Sequence, residues 1–129
     1  MNSYQVLVDS SVWIQYFRFG GIEKLDRLLE EDLVCTNDLI LSELGPSLIV
    51  QNKVEIWESL RALNRIPLRI DWDLIRGYQI LNMKNGINKI GIPNLIIVQQ
   101  VIEEKLSIFT FDKHFKLMNN FLKYDMVEF

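Results

Sequence analysis

An α/β fold with a mostly parallel central sheet flanked by helices is what this sequence predicts, on three observations. Val6-Leu7-Val8 is a contiguous aliphatic run, two of its three residues β-branched, and reads as a strand buried on both faces. Short apolar runs of this kind alternate with helically patterned stretches along the chain, the order that a parallel sheet with crossover helices requires. Leu95 to Glu104 is apolar almost all round, at Leu95, Ile96, Ile97, Val98, Val101 and Ile102, which marks a helix packed at the centre.

The elements follow in order. After the first strand, Val12, Trp13, Ile14, Tyr16 and Phe17 predict a helix ended by Gly20-Gly21. Ile22, Leu25, Leu28 and Leu29 predict a second, with Glu23, Lys24, Asp26, Arg27 and Glu30 on its wet side. Leu33 to Cys35 is a short strand, and Thr36-Asn37-Asp38 supplies capping chemistry for a helix from Leu39. At 3.6 residues per turn Glu43 stacks with Leu39, Ile40 and Ser47, which aims its carboxylate at the interior. Gly45-Pro46 bends that helix, because Pro46 has no N–H for the carbonyl of Ser42.

Val54, Ile56, Trp57, Leu60 and Leu63 outline the next helix, and Ile66-Pro67-Leu68 an edge strand, since Pro67 lacks the ladder donor. Asp71 or Asp73 caps a helix through Leu74, Ile75, Tyr78, Ile80 and Leu81 that stops at Asn85-Gly86. Ile87 to Gly91 is a loop, and Pro93 suits the first turn of the central helix. Ser107 to Phe111 is a strand ending at Asp112, followed by a short helix over Phe115 to Phe121 and a last strand over Tyr124 to Val127.

At 129 residues and 49% hydrophobic, the chain fits one domain, 1–129, with a full core. One cysteine, Cys35, excludes an intrachain disulfide and reads as a small buried hydrophobe in a reducing compartment. No secretory pattern opens the chain and no apolar run approaches the roughly 20 residues that span a bilayer, so the expectation is a cytoplasmic protein without a membrane partner. A net charge of −3 argues against broad charge-driven nucleic-acid binding. The acids are unevenly spread, however: none occurs between Leu74 and Ile102, where Arg76, Lys84 and Lys89 fall, and Lys84 and Lys89 are candidates to meet RNA phosphates.

The strands at Val6 and Ser107 both end in an acid, Asp9 and Asp112, and in α/β folds functional groups gather where parallel strands end. If Asp9, Glu43 and Asp112 meet, mutual repulsion of roughly 4 kcal/mol per pair at 4 Å calls for a cation. Oxygen ligands and the lack of a His/Cys cluster favour magnesium or manganese over zinc. Hydroxyls of Ser10, Ser11 or Thr110 could fix waters beside such an ion. Each acid also has a plain reading: Asp9 and Asp112 as helix caps, Glu43 as neutral or paired with an arginine. His114 has two as well, a general acid or a structural first-turn residue.

Val6-Leu7-Val8-Asp9-Ser10-Ser11-Val12-Trp13-Ile14, Leu41-Ser42-Glu43-Leu44, Gly91-Ile92-Pro93-Asn94-Leu95-Ile96-Ile97 and Phe109-Thr110-Phe111-Asp112-Lys113-His114-Phe115 resemble the four signature blocks of PIN domains, in order and over most of the chain. The size and the Asp-Ser-Ser-Val-Trp-Ile opening look most like the VapC toxins of bacterial and archaeal toxin–antitoxin pairs. The resemblance implies a Mg2+- or Mn2+-dependent endoribonuclease acting on RNA. It also implies a homodimer and a cognate VapB-type antitoxin whose tail covers the site. It further implies that Asp9, Glu43 and Asp112 are metal-site acids, with Thr110 as the hydroxyl two places before the last.

One position departs from the family pattern: Asn94 stands where an Asp is usual after Ile-Pro. Its carbonyl oxygen can ligate a hard cation, but it brings no charge and cannot act as a base. Weakened metal binding and impaired cleavage are therefore expected, and a catalytically silent module that binds antitoxin or RNA is the competing reading. An N-cap role for Asn94 is compatible with either. A receiver-type signalling domain also gathers acids around magnesium, but its acidic pair is missing here, with Tyr4-Gln5 before the first strand and no second acid after it.

Overall fold

The apolar runs become five parallel strands in the computed structural model, which describes residues 4–128. They are β1 (Val6–Val8), β2 (Val34–Thr36), β3 (Asn64–Arg65), β4 (Ser107–Phe109) and β5 (Asp125–Met126), in the spatial order β3-β2-β1-β4-β5. Seven helices flank them among the described residues: α1 (Ser10–Phe19), α2 (Glu23–Glu30), α3 (Asp38–Val50), α4 (Val54–Arg61), α5 (Trp72–Lys84), α6 (Ile92–Glu103) and α7 (Lys113–Leu122). The ends of the domain expected over 1–129 lie outside the described residues.

Burial on both faces explains the unbroken aliphatic runs. Val6, Leu7 and Val8 are fully buried, as are Ile108 and Phe109 beside them. The register Val6↔Ser107, Leu7↔Ile108, Val8↔Phe109 places the ends of β1 and β4 side by side, and Asp9 N donates to the Phe109 carbonyl at 2.9 Å. Because β1 pairs with β2 on one side and β4 on the other, the strand order reverses at β1. Such a switch point leaves a crevice beyond the carboxyl ends of the strands, which is where Asp9 lies. None of the described helices is long and apolar enough to cross a membrane.

Several expectations need correction. The edge strand expected at Ile66–Leu68 is instead Asn64–Arg65: Ile66 N still donates to the Thr36 carbonyl at 2.9 Å, but Pro67 ends the ladder. The carbonyls of Ile66 and Pro67 are taken by Gln100 Nε2, each at 3.2 Å. The central helix starts at Ile92, with Gly91 as N-cap, so Asn94 sits inside the first turn and is not the cap. That helix is also less apolar than its pattern implies, for Gln99 and Gln100 are both buried in it. Gln99 accepts from Asp71 N at 3.0 Å and donates to the Arg69 carbonyl at 2.7 Å.

Capping follows the sequence closely elsewhere. Asn37 Oδ1 accepts from Ile40 N at 2.8 Å, and Asp71, rather than Asp73, caps α5 by accepting from Leu74 N at 3.1 Å. α3 continues past Pro46 to Val50, and Ser42, whose carbonyl loses its helical donor there, is exposed. Gly45 permits a close approach of α4, since a Cβ at that position would lie 2.8 Å from the Trp57 ring. Cys35 is fully buried, and burial pushes its thiol up to about 12, so it behaves as the packed hydrophobe expected.

Candidate metal and nuclease site

The parallel register of β1 and β4 brings together groups that are far apart in sequence. Asp9 is 5% exposed, and its Oδ2 accepts from Ser11 Oγ at 2.7 Å and from Thr110 Oγ1 at 2.9 Å, the latter 101 positions away. Each hydroxyl also accepts: Ser11 Oγ from Phe111 N at 3.0 Å, Thr110 Oγ1 from Asp112 N at 3.0 Å. Ser11 and Thr110 thus rivet Asp9 to the loop that leads into Asp112. Asp9 occupies the N-cap position of α1 without making a side-chain cap, so its carboxylate serves the strand ends and not its helix.

Asp112 takes the capping role considered for it. It caps α7 through His114 N at 2.9 Å, while His114 Nδ1 lies 3.1 Å from the same Oδ1. Its Oδ2 accepts from Asn94 Nδ2 at 3.2 Å. A carboxylate has no proton to give, so the amide must turn its NH2 group towards it and its carbonyl away. Asn94 therefore serves here as a hydrogen-bond donor to Asp112.

Glu43 differs from the expectation in its burial. It is exposed, on the rim of the crevice, because Leu41, Leu44 and Leu48 take the buried side of α3. Its carboxyl nevertheless titrates above the ordinary 4.5: partial burial raises it, the charge of Asp9 raises it further, and a hydrogen bond with Ser10 opposes both. Asp9 and Glu43 thus repel across the crevice, and among the described residues neither forms an ion pair with a lysine, arginine or histidine. Protonating Glu43 removes that repulsion. The native state therefore takes up its proton at a higher pH than the unfolded chain, and it gains stability as pH falls towards 4.5.

Glu43→Gln should accordingly stabilise the metal-free protein at pH 7 by about a few tenths of a kcal/mol, the small size reflecting solvent screening. Urea unfolding from pH 7 down to 4.5 should show the advantage shrinking to nothing.

Donor chemistry decides whether these residues suit a divalent cation. Asp9, Glu43 and Asp112 present oxygen only, with an uncompensated like-charge pair, and that fits magnesium or manganese in type and charge. Yet among the described residues no three His, Cys, Asp or Glu side chains are grouped closely enough to hold one ion. The Asn94 to Asp112 hydrogen bond occupies the Asp112 oxygen that faces the amide. The structure thus brings Ser11, Thr110, Asp112 and Asn94 into one hydrogen-bonded network with Asp9, and joins Glu43 and Ser10 to it through the field of Asp9.

Sequence reasoning left His114 open between general acid and structural residue, and its contact with Asp112 needed the turn into α7 to become visible. Arg61 and Arg65 pair with Glu58 and Asp38, each at 3.2 Å. Lys84, the last residue of α5, and Lys89, on the connection leading to α6, are exposed.

A family model described as PIN domain matches residues 6–120. No curated protein sequence matches the chain. Among solved structures, VapBC2 from Rickettsia felis bound to a promoter DNA fragment is similar with a TM-score of 0.75 at 15% identity, over 96% of this chain and 98% of that one. DNA-bound VapBC from Salmonella typhimurium gives a TM-score of 0.74 at 11% identity, over 96% and 97%. VapC20 from Mycobacterium tuberculosis, described as a sarcin–ricin-loop-cleaving toxin, gives 0.62 at 14% identity, over 88% and 94%. At such identities the likeness establishes a shared fold.

Proposed function

The chain belongs to the PIN domain family, and from that premise we propose that it is a divalent-metal-dependent endoribonuclease, the toxin of a VapBC-type pair, with its activity limited at Asn94. The observation that carries this reading is the network in which Thr110 joins Asp9 to Asp112 at the strand-order reversal, with the charge of Asp9 acting on Glu43. The PIN nucleases as a class use divalent metal ions, and magnesium or manganese matches the oxygen donors present.

Asp9, Glu43 and Asp112 would hold the ion, with Asn94 offering its carbonyl if the amide turns. When bound, the ion supplies charge neutralisation at a phosphodiester and Lewis acidity towards water. The chain's own residues do the positioning. Ser11 and Thr110 fix one oxygen of Asp9, and Oδ1 takes no hydrogen bond among the described residues. His114 and Asn94 hold the two oxygens of Asp112. Glu43, its proton affinity raised above that of an ordinary carboxylate by burial and by the charge of Asp9, can hold or release a proton at the rim of the crevice.

An RNA strand is the substrate, a cognate VapB-type antitoxin the neutralising partner, and a homodimer the assembly that we assign. The solved neighbours include toxin–antitoxin complexes, which supports that partner class.

Cleavage of labelled RNA with magnesium or manganese, alongside manganese calorimetry, tests the reading. Asp9→Asn should lower manganese affinity at least tenfold, about 1.4 kcal/mol, while the unfolding midpoint stays close to that of the parent, because the Asn carbonyl can still accept from Ser11 and Thr110. Unchanged manganese affinity in Asp9→Asn would sink the metal assignment. The hydrogen bond from Asn94 to Asp112 favours a second reading, a silent module that binds antitoxin or RNA without cutting.

A further inference from the structure

The connection from α5 to α6 leads into the site and is fastened by side chains that the chemistry described so far does not use. It passes through the left-handed region at Gly86 (φ 75°) and again at Lys89 (φ 65°), and each of these is followed by an anchor on α5. Ile87 N donates to the Asn82 carbonyl at 2.8 Å, and Gln79 Nε2 donates to the Ile90 carbonyl at 2.8 Å. Resting on the metal-dependent nuclease reading, we propose that Gln79 is a positioning residue of the site: by holding the Ile90 carbonyl it fixes where α6 begins, and so where Asn94 stands against Asp112.

The line of contacts is short. Ile90 is 4% exposed and immediately precedes Gly91, the N-cap of α6, whose carbonyl accepts from Asn94 N at 3.1 Å. One helical turn past the held carbonyl, therefore, comes the amide that donates to Asp112 Oδ2. A lysine in the left-handed region costs about 1–3 kcal/mol and persists only where surrounding contacts over-determine it. The Gln79 bond, on the residue next to Lys89, is such a contact.

Orientation passes along the same line. A carbonyl only accepts, so Ile90 obliges Gln79 to present its NH2 group there and its Oε1 to Asn82, whose Nδ2 donates to it at 3.2 Å. The same Nδ2 lies 3.5 Å from Met118 Sδ on α7, the helix that Asp112 caps. Both members of the Asn94–Asp112 contact are thus tied to one pair of amides on α5. Asn82 is fully buried, and its Oδ1 has no partner among the described residues. Such an atom costs about 1–3 kcal/mol, so packing alone favours an apolar residue at that position. What the Asn82 amide supplies is the direction in which Gln79 points.

The side-chain amide of Asn94 reports its own placement by NMR, without metal or RNA, and its resonances are identified by their loss in Asn94→Ala. Gln79 is only half-buried, so Gln79→Met keeps length and helix preference while losing the donor to Ile90. It should move the Asn94 amide resonances and speed their exchange with water about tenfold. Leu29→Ala, which loses packing on α2, should leave them in place. In proteins that also carry Asn94→Asp, Gln79→Met should lower manganese affinity by calorimetry about tenfold, and Leu29→Ala should not. A Gln79→Met protein that melts earlier yet keeps the Asn94 resonances unmoved overturns the proposal, because Gln79 is then only structural. Equal movement in Leu29→Ala overturns it too, since the effect is then general loosening. An Asn94→Asp protein that binds no manganese defeats the metal reading instead, and the Asn94 resonances of the parent and Gln79→Met still decide the role of Gln79.

Discussion

Asn94→Asp is expected to raise metal-dependent RNA cleavage on the order of 100-fold, the range that a correctly placed acid–base or ligand carboxylate contributes. The reason lies in the hydrogen bond that the substitution replaces. Asn94 Nδ2 now satisfies Asp112 Oδ2 at 3.2 Å, so the pair is content without a cation. A carboxylate there would face another carboxylate, with a repulsion of roughly 4 kcal/mol at 4 Å and an effective dielectric of 20. Without metal the variant should therefore be less stable than its parent. Manganese at about 100 times its Kd should restore about 2.7 kcal/mol. Thermal unfolding with and without manganese reads this out separately from cleavage. A variant that gains metal affinity but does not cut RNA would favour the silent-module reading, while one that gains neither would remove Asn94 from the metal site.

Gln100→Leu should destabilise the protein by about 2–3 kcal/mol. Gln100 is 5% exposed and joins three segments: its Oε1 accepts from Asn37 Nδ2 at 2.7 Å, and its Nε2 reaches the carbonyls of Ile66 and Pro67. Leucine matches the volume but leaves the fully buried Asn37 amide with no acceptor, and an unpaired buried donor costs about 1–3 kcal/mol. The freed Pro67 carbonyl is on an exposed residue and can be hydrated. A melting temperature lower by roughly 10 °C is the expected reading. Asn37→Ala should lose much of the same energy, so the double variant should fall well short of the sum. Additive losses would mean that the amide pair contributes nothing. Asn37 also caps α3, which carries Glu43, while α6 carries Asn94; this pairing therefore couples the two sides of the crevice.

The sequence by itself determined the fold class and the acids that end its strands. Val6-Leu7-Val8 and Ser107-Ile108-Phe109 are apolar without alternation because both their faces are covered, a property written in composition and independent of what covers them. Asn37 and Asp71 were readable as caps for the same reason, since a cap depends on residues three positions away. The signature blocks around Asp9, Glu43, Asn94 and Asp112 likewise lie within short windows.

What required the tertiary structure is everything that depends on which segment lies across from which. Helical periodicity aims Glu43 inward, yet it lies at the rim, because the leucines of α3 fill the core-facing side. Gln99 and Gln100 look like interruptions in an apolar helix until the extended stretch from Ile66 to Asp71 is laid against them and its backbone groups need partners. Asn94 could have been a cap. It is a donor to Asp112 because the β1–β4 ladder and the turn into α7 put that carboxylate within 3.2 Å. Hydrophobic periodicity reports whether a residue faces other protein; it carries no information about the partner's identity, which parallel register and loop geometry alone decide.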